Sequence, residues 1–462
     1  VNRQKASGAY LFAAACFVWT GAYCGLWPGR SQALGLALLA IAIGVCGFGI
    51  WTSRRQTFCR EDEPGWKPRR WLIVSAAGIL ACAVVWASVR GGYFWVFWTP
   101  ALLFFLGLGV LRLQDRISRG KGMPGNSKSR SIETWKKLFW VAVAIHVLAA
   151  VAVLGMHSGD FIDVYLFQRD GAQAILHGIN PYTITHENIC TPEEVTRFYP
   201  PTVVWDGRLH WGYNYPPASL LFALPGYLLG DVRYSQIAAV LLSALLMVRL
   251  RPNRMTIGAA CILLLSPLSF WVEMNSWIEP FVLLGLTAAV FAALRRSWWL
   301  PLALGVFLAS KQFVVVGIPF VSFLQPPGWK QNLKLLAKTA AVAVCITAPL
   351  ALWDLHSFIQ GTVVLFLRAP ARLDSLSLVA FMQVPPWVIY GLILSAIVFC
   401  LLAAARTPAM YAASFAFVLL IWMIVNKVAF INYYFLIAHS IWLAGAIVSG
   451  SVCAPAEESR SR

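Results

Sequence analysis

Apolar residues in this chain run in long blocks separated by polar loops, rather than at the period of an amphipathic helix or a half-buried strand. Blocks near 8–27, 33–51, 71–88, 93–111 and 138–156 each approach the roughly 20 residues that an α-helix needs to cross the hydrocarbon core of a bilayer. After a long polar stretch the pattern resumes at 216–230, 234–249, 255–271, 277–294, 298–324, 336–353, 385–405, 409–425 and 428–447. The block 216–230 contains Pro216, Pro217 and Pro225, so it is expected as a short interfacial or re-entrant segment. The block 298–324 is interrupted by Ser310, Lys311 and Gln312 and is expected as two short helices that enter and leave from one side. The pattern predicts an all-α polytopic bundle of about twelve transmembrane helices plus two broken segments.

Composition sharpens this. Of 462 residues 59% are hydrophobic and only 12% charged, about half the charge of an average globular chain. That excludes a water-soluble enzyme, a coiled coil and a disordered scaffold. The net charge of +18 would suggest nucleic acid in a soluble protein. Here the bases gather in the loops 52–70 and 112–137, so no nucleic-acid partner is expected and the excess sets orientation, with those loops and both termini cytoplasmic. The block 8–27 shows no small-residue cleavage site followed by soluble sequence and is expected as a retained helix. The loop 157–217 then lies outside; it holds seven acids against three bases, and loops of such length usually carry function. A second external loop covers 354–384. The chain divides into four N-terminal helices (1–137), a larger membrane domain (138–447) and a cytoplasmic tail (448–462). Most of the ten cysteines fall in apolar blocks, and Cys190 is alone in the large loop, so no disulfide framework is implied. No zinc spacing, P-loop or dinucleotide fingerprint is present.

Four clusters carry candidate chemistry, because ionisable groups at membrane depth are rarely idle. Asp160 and Asp163 sit at i and i+3 just past the helix at 138–156, where a carboxylate can act as a general base. Gly178-Ile179-Asn180-Pro181-Tyr182 and Tyr213-Asn214-Tyr215-Pro216-Pro217 supply prolines that fix the chain direction and tyrosines suited to an interface or a sugar-stacking wall. Glu273, Asn275 and Glu279 lie near the external end of 277–294, and Lys311 with Gln312 marks the break in 298–324. A buried lysine needs an acidic partner, and Glu279 is the candidate. Arg368, Arg372 and Asp374 in the second external loop, with Lys427 before the last block, place bases against the usual charge bias and suit a phosphate.

The runs Asp163-Val164-Tyr165, Gly178-Ile179-Asn180-Pro181-Tyr182 and Tyr215-Pro216-Pro217 resemble the membrane glycosyltransferases of the GT-C superfamily. Within it they are most similar to the GT87 group, which includes the mycobacterial phosphatidylinositol-mannoside mannosyltransferases. Gly230-Asp231-Val232-Arg233-Tyr234, Ser276-Trp277-Ile278-Glu279-Pro280, Ser310-Lys311-Gln312, Arg372-Leu373-Asp374-Ser375-Leu376-Ser377 and Asn432-Tyr433-Tyr434 follow in the same order, so the resemblance covers roughly 138–447. It implies a GT-C-like fold in a bacterial plasma membrane, a polyprenyl-phosphate sugar as co-substrate, a lipid or glycan acceptor, an external active site and inversion at the anomeric carbon. It also implies an acidic base, which maps onto Asp163 or Asp160, with Asp163 preferred because it directly precedes Val-Tyr. Arg368, Arg372, Lys427 and Lys311 become candidates for the donor phosphate. Tyr165, Asn180, Tyr182, Tyr213, Tyr215, Glu279, Gln312, Asp374 and Tyr433 become candidates for substrate contacts. No cofactor is implied, and no metal, since a lipid monophosphate leaves without a diphosphate to neutralise. A transporter or lipid flippase, and a glycan polymerase or ligase using a lipid-diphosphate donor, are the alternatives.

Overall fold

A computed structural model of the protein describes residues 3–24, 30–54, 127–156, 162–250 and 252–449. The expected spans at 71–88 and 93–111, and Asp160, lie outside the described residues. Among the described residues there are seventeen α-helices, and the chain is an integral membrane protein by its long apolar helices. Six helices are long and apolar enough to cross a membrane, or seven if one bent pair counts as a single span. Among the described residues that is fewer than the expected twelve, and for two of the expected spans the reason is length. Glu279–Leu294 and Pro408–Ile424 stop at 16 and 17 residues, about 24–26 Å at 1.5 Å per residue, short of a hydrocarbon core of roughly 30 Å. The expected span 255–271 is instead the bent pair, Arg254–Leu265 and Pro267–Met274, which meet at 46°. Pro267 has no N–H to continue the first helix, and Ser266 caps the second by accepting from the Leu268 N–H. The indole of Trp19 also donates to Ser266 at 3.0 Å, tying the first helix of the chain to this bend.

The helix Ile431–Ser449 is the axis of the bundle: 94% of its apolar window is buried, against 11% for Trp329–Ala351 and 17% for Pro386–Ala403, which therefore lie on the periphery. Arg3–Cys24, Glu279–Leu294, Arg254–Leu265 and Pro408–Ile424 pack around that axis. Two irregular segments fall where prolines and polar residues predicted them. Pro217–Leu228 is a helix of only 12 residues. The block 298–324 splits into Leu300–Leu308 and a 3-10 helix Gln312–Phe323, with Lys311 extended between them.

The long polar loop folds into the helices Asp163–Leu176 and Pro192–Phe198 and a small antiparallel sheet of His186–Glu187, Val204–Trp205 and Arg208–Leu209. The all-α expectation had no strands here. The hairpin Val204–Leu209 is turned by Asp206 and Gly207, both at positive φ (51° and 67°), the pairing that a tight twisted hairpin requires.

Candidate functional site

The loop is anchored before it offers any chemistry. Tyr165, Phe167, Tyr182, Tyr213 and Tyr215 form an apolar core of their own with Phe281 of the helix Glu279–Leu294. A buried amide seam fastens the helix Asp163–Leu176 to the bundle: Gln168 donates to the Ser276 carbonyl, and Gln236 donates to Gln168 at 2.7 Å. Midway along that helix Asp170 accepts from Arg169 (2.7 Å) and meets His186 of the sheet (2.9 Å). Burial alone would raise the Asp170 carboxyl, but these partners hold it below its usual range. Gly212 lets the returning strand pass beneath Tyr182; a Cβ there would sit 2.4 Å from the Tyr182 carbonyl carbon.

This frame closes one side of a cleft of about 490 Å³. The loop contributes Asp163, Phe198, Tyr199, Trp211, Asn214 and Tyr215; the segment 365–374 contributes Phe366, Arg372 and Asp374; the last helix contributes Asn432 and Tyr433. Asp163 is the first residue of its helix, where a carboxylate meets the positive end of the dipole. The Val164 N–H donates to its Oδ1 at 2.8 Å and the Tyr199 hydroxyl to its Oδ2 at 3.0 Å. Burial nonetheless dominates and raises the Asp163 carboxyl above its ordinary range, opposed by those two hydrogen bonds and by the charges of Arg372 and His186. Tyr199 is carried there by the helix Pro192–Phe198, which Thr191 and Glu194 close with a capping box.

Arg372 is clamped in three directions. Its Nε and Nη2 donate to Asp374 at 2.8 Å each, and its guanidinium lies 3.6 Å from the ring centre of Phe198 and 4.7 Å from that of Phe430. The fork to Asp374 uses two of five N–H donors. It also holds the Asp374 carboxyl below its usual range, although burial acts the other way.

Lys311 does find its acid. It is buried in an ion pair with Glu279, as its sequence position requires. The rings of Tyr433, Phe313 and Tyr215 stand 4.7, 5.1 and 5.4 Å from its ammonium. Asn432 donates to the same Glu279 oxygen at 2.8 Å. Glu273, grouped with Glu279 in the sequence, goes elsewhere: it faces His146 at 3.0 Å inside the bundle.

The four cations expected around one phosphate do not meet. Arg372 lines the cleft, whereas Lys311 stands behind Tyr215 and Tyr433. Arg368 is exposed and absent from the lining. Lys427 spends its ammonium on the Leu367 and Ala369 carbonyls (2.9 and 2.6 Å), bracing the segment that bears Arg372; burial lowers its pKa. Among the expected substrate contacts, Tyr215, Asp374 and Tyr433 line the cleft, and the others lie outside its lining. Tyr182 donates to the Tyr215 carbonyl at 2.8 Å, and Asn180 caps the turn before it by accepting from the Tyr182 N–H at 3.0 Å. Tyr213 pairs with Ser219 at 2.7 Å. Gln312 bridges the Asn214 and Thr362 carbonyls (2.7 and 3.1 Å). Tyr165 packs against Arg233, whose guanidinium is 5.2 Å from the ring centre.

Tyr199, Phe198, Asn432, Trp211 and Phe430 bear on the site but are not among the candidates that the sequence offers, whereas Asn214 lies in the run Tyr213-Asn214-Tyr215. The pattern Asn432-Tyr433-Tyr434 at the head of an apolar block was the one available signal for Asn432. Among the described residues no group of three or more His, Cys, Asp or Glu is arranged to hold a metal ion. Compared with known proteins, the chain matches no family model, no curated protein and no solved structure.

Proposed function

We propose that the protein is a membrane glycosyltransferase that moves a sugar, mannose by preference, from a polyprenyl-phosphate donor to a hydroxyl of a lipid or glycan acceptor, with inversion. The observation that carries this reading is the pairing, across one cleft, of a half-buried carboxyl raised by burial and a guanidinium with donors to spare. The ordered GT-C-like motifs support it, since Asp163, Tyr215, Arg372, Asp374 and Tyr433 all come from them. In this reading the cleft faces the external side of a bacterial plasma membrane, and both termini are cytoplasmic.

The acceptor oxygen attacks the anomeric carbon while its proton passes to Asp163. The bond from that carbon to the phosphate oxygen breaks with its electron pair, so the lipid phosphate departs as an anion. It needs no proton; Arg372 supplies fixed positive charge where negative charge grows. A carboxyl above the ordinary aspartate range is better matched to proton transfer near neutral pH. Phe366, Phe430 and the neighbouring apolar residues offer the first units of the prenyl chain a dry wall.

The test is purified protein with polyprenyl-phosphate mannose and a panel of glycolipid and glycan acceptors, read by mass spectrometry for added hexose. Asp163→Asn should lower transfer about 10³-fold without unfolding the protein. Full transfer by that variant would exclude Asp163 as the base.

A further inference from the structure

We infer that Asn432 reads a hydroxyl of the transferred sugar, and that the buried Lys311–Glu279 pair is the device that aims it; this rests on the glycosyltransferase reading above. Asn432 is the second residue of the helix Ile431–Ser449, is 4% exposed and lines the cleft. Its Nδ2 donates to Glu279 Oε1, the oxygen that also receives Lys311. Oε1 of Glu279 faces the Lys311 nitrogen and the Asn432 amide together and serves both as acceptor. The amide of Asn432 must therefore turn its NH2 toward Glu279 and its oxygen the other way. That oxygen is enclosed and has no hydrogen-bond partner. Reversing the amide would set two acceptors against each other and leave two donors unpaired, so the Lys311–Glu279 pair allows one orientation.

A buried acceptor without a partner is rare in a folded protein and calls for a donor. A polyprenyl-phosphate sugar holds O–H donors in one place. The prenyl chain has none, and the phosphodiester oxygens are acceptors. The sugar ring is therefore the part that satisfies Asn432 Oδ1, once the side chains that cover this oxygen give way to the ring. Asn214 Oδ1, also enclosed and unpaired, belongs to the same cleft lining, so the ring has acceptors from two chain segments. Arg372, a donor, suits the phosphate. The donor substrate is thus polarised in the cleft: phosphate on Arg372, sugar hydroxyls on the two asparagines. Lys311 and Glu279 touch no substrate in this arrangement and act as positioning residues.

The experiment uses the full chain in nanodiscs with polyprenyl-phosphate mannose and its 2-, 3-, 4- and 6-deoxy analogues. Wild type should lose about 10- to 100-fold in kcat/KM on the analogue that lacks the hydroxyl read by Asn432, and on a second analogue where Asn214 reads a different hydroxyl. Asn432→Ala should transfer the first of these and the parent sugar at equal rates, and keep the wild-type ratios for the other analogues. Glu279→Gln can donate as well as accept, so it should relax the same discrimination while leaving the pH profile of transfer unchanged. Should Asn432→Ala fail to fold, Asn432→Ser, which keeps a polar atom but shortens the reach, takes its place with the same expectation. A uniform loss across all analogues, or retained discrimination in the variants, overturns the assignment of Asn432. A wild-type protein that transfers no sugar from any of these donors overturns the glycosyltransferase reading and this inference with it.

Discussion

Two cations stand at opposite depths of the same region, and they are held in opposite ways. Lys311 is enclosed, paired with a fully buried Glu279 and ringed by aromatic side chains. Arg372 is half-buried and paired with an Asp374 that is still 39% exposed, and it lines open cleft. The first arrangement leaves the lysine no direct route to a ligand, so its charge serves to orient its neighbours. The second leaves donors over, so its charge is available to an incoming anion. A basic residue at membrane depth is thus not automatically a substrate contact; whether its partner set is closed decides.

The comparison can be broken most forcefully at the closed pair. Lys311→Met leaves Glu279 buried without its cation and should cost about 3–5 kcal/mol of stability, measured by denaturant titration in detergent. The double change Lys311→Met, Glu279→Met should recover most of that loss, because the uncompensated charge is gone. A single variant as stable as wild type would show that water reaches Glu279. At the open end the effect should fall on rate instead: Arg372→Ala is expected to lower kcat about 10²-fold while unfolding at nearly the wild-type denaturant concentration. Equal losses of stability in both variants would erase the distinction between the closed and the open cation.

A smaller effect sharpens the role of Asp163. The Tyr199 hydroxyl bonds to its carboxylate and so lowers a carboxyl that burial has raised. Tyr199→Phe removes that stabilisation, so the carboxyl should rise further. The base works only when ionised, and the acid limb of kcat/KM against pH should therefore move to higher pH. A limb that stays in place would mean that another group limits the rate on the acid side. The smallest effect belongs to Arg368→Ala: Arg368 is exposed and outside the cleft lining, so the transfer rate should stay within about twofold of wild type.

Much of the bundle was legible in the chain because bilayer solvent imposes a simple rule on apolar length. The break at Lys311 and the shortness of Pro217–Leu228 followed from polar residues and prolines alone. The pairing of Lys311 with Glu279 followed from the desolvation of a buried ammonium. The number of spans did not follow, because apolar character does not tell a helix of 16 or 17 residues packed inside the bundle from one that crosses lipid. Nor did the use of Lys427, whose charge suggested a phosphate but whose ammonium braces two carbonyls.

What the sequence by itself determined was solvent and inventory: a chain with too little charge for water, helices long enough for lipid, and an acid-rich loop with Asp163 at its start. Tertiary structure alone decided who meets whom. Tyr199 reaches Asp163 across 36 positions and Asn432 reaches Glu279 across 153, separations over which no periodicity extends. Side-chain orientation is set by such partners: the amide of Asn432 has a defined face only because a carboxylate, itself held by a lysine, stands beside it.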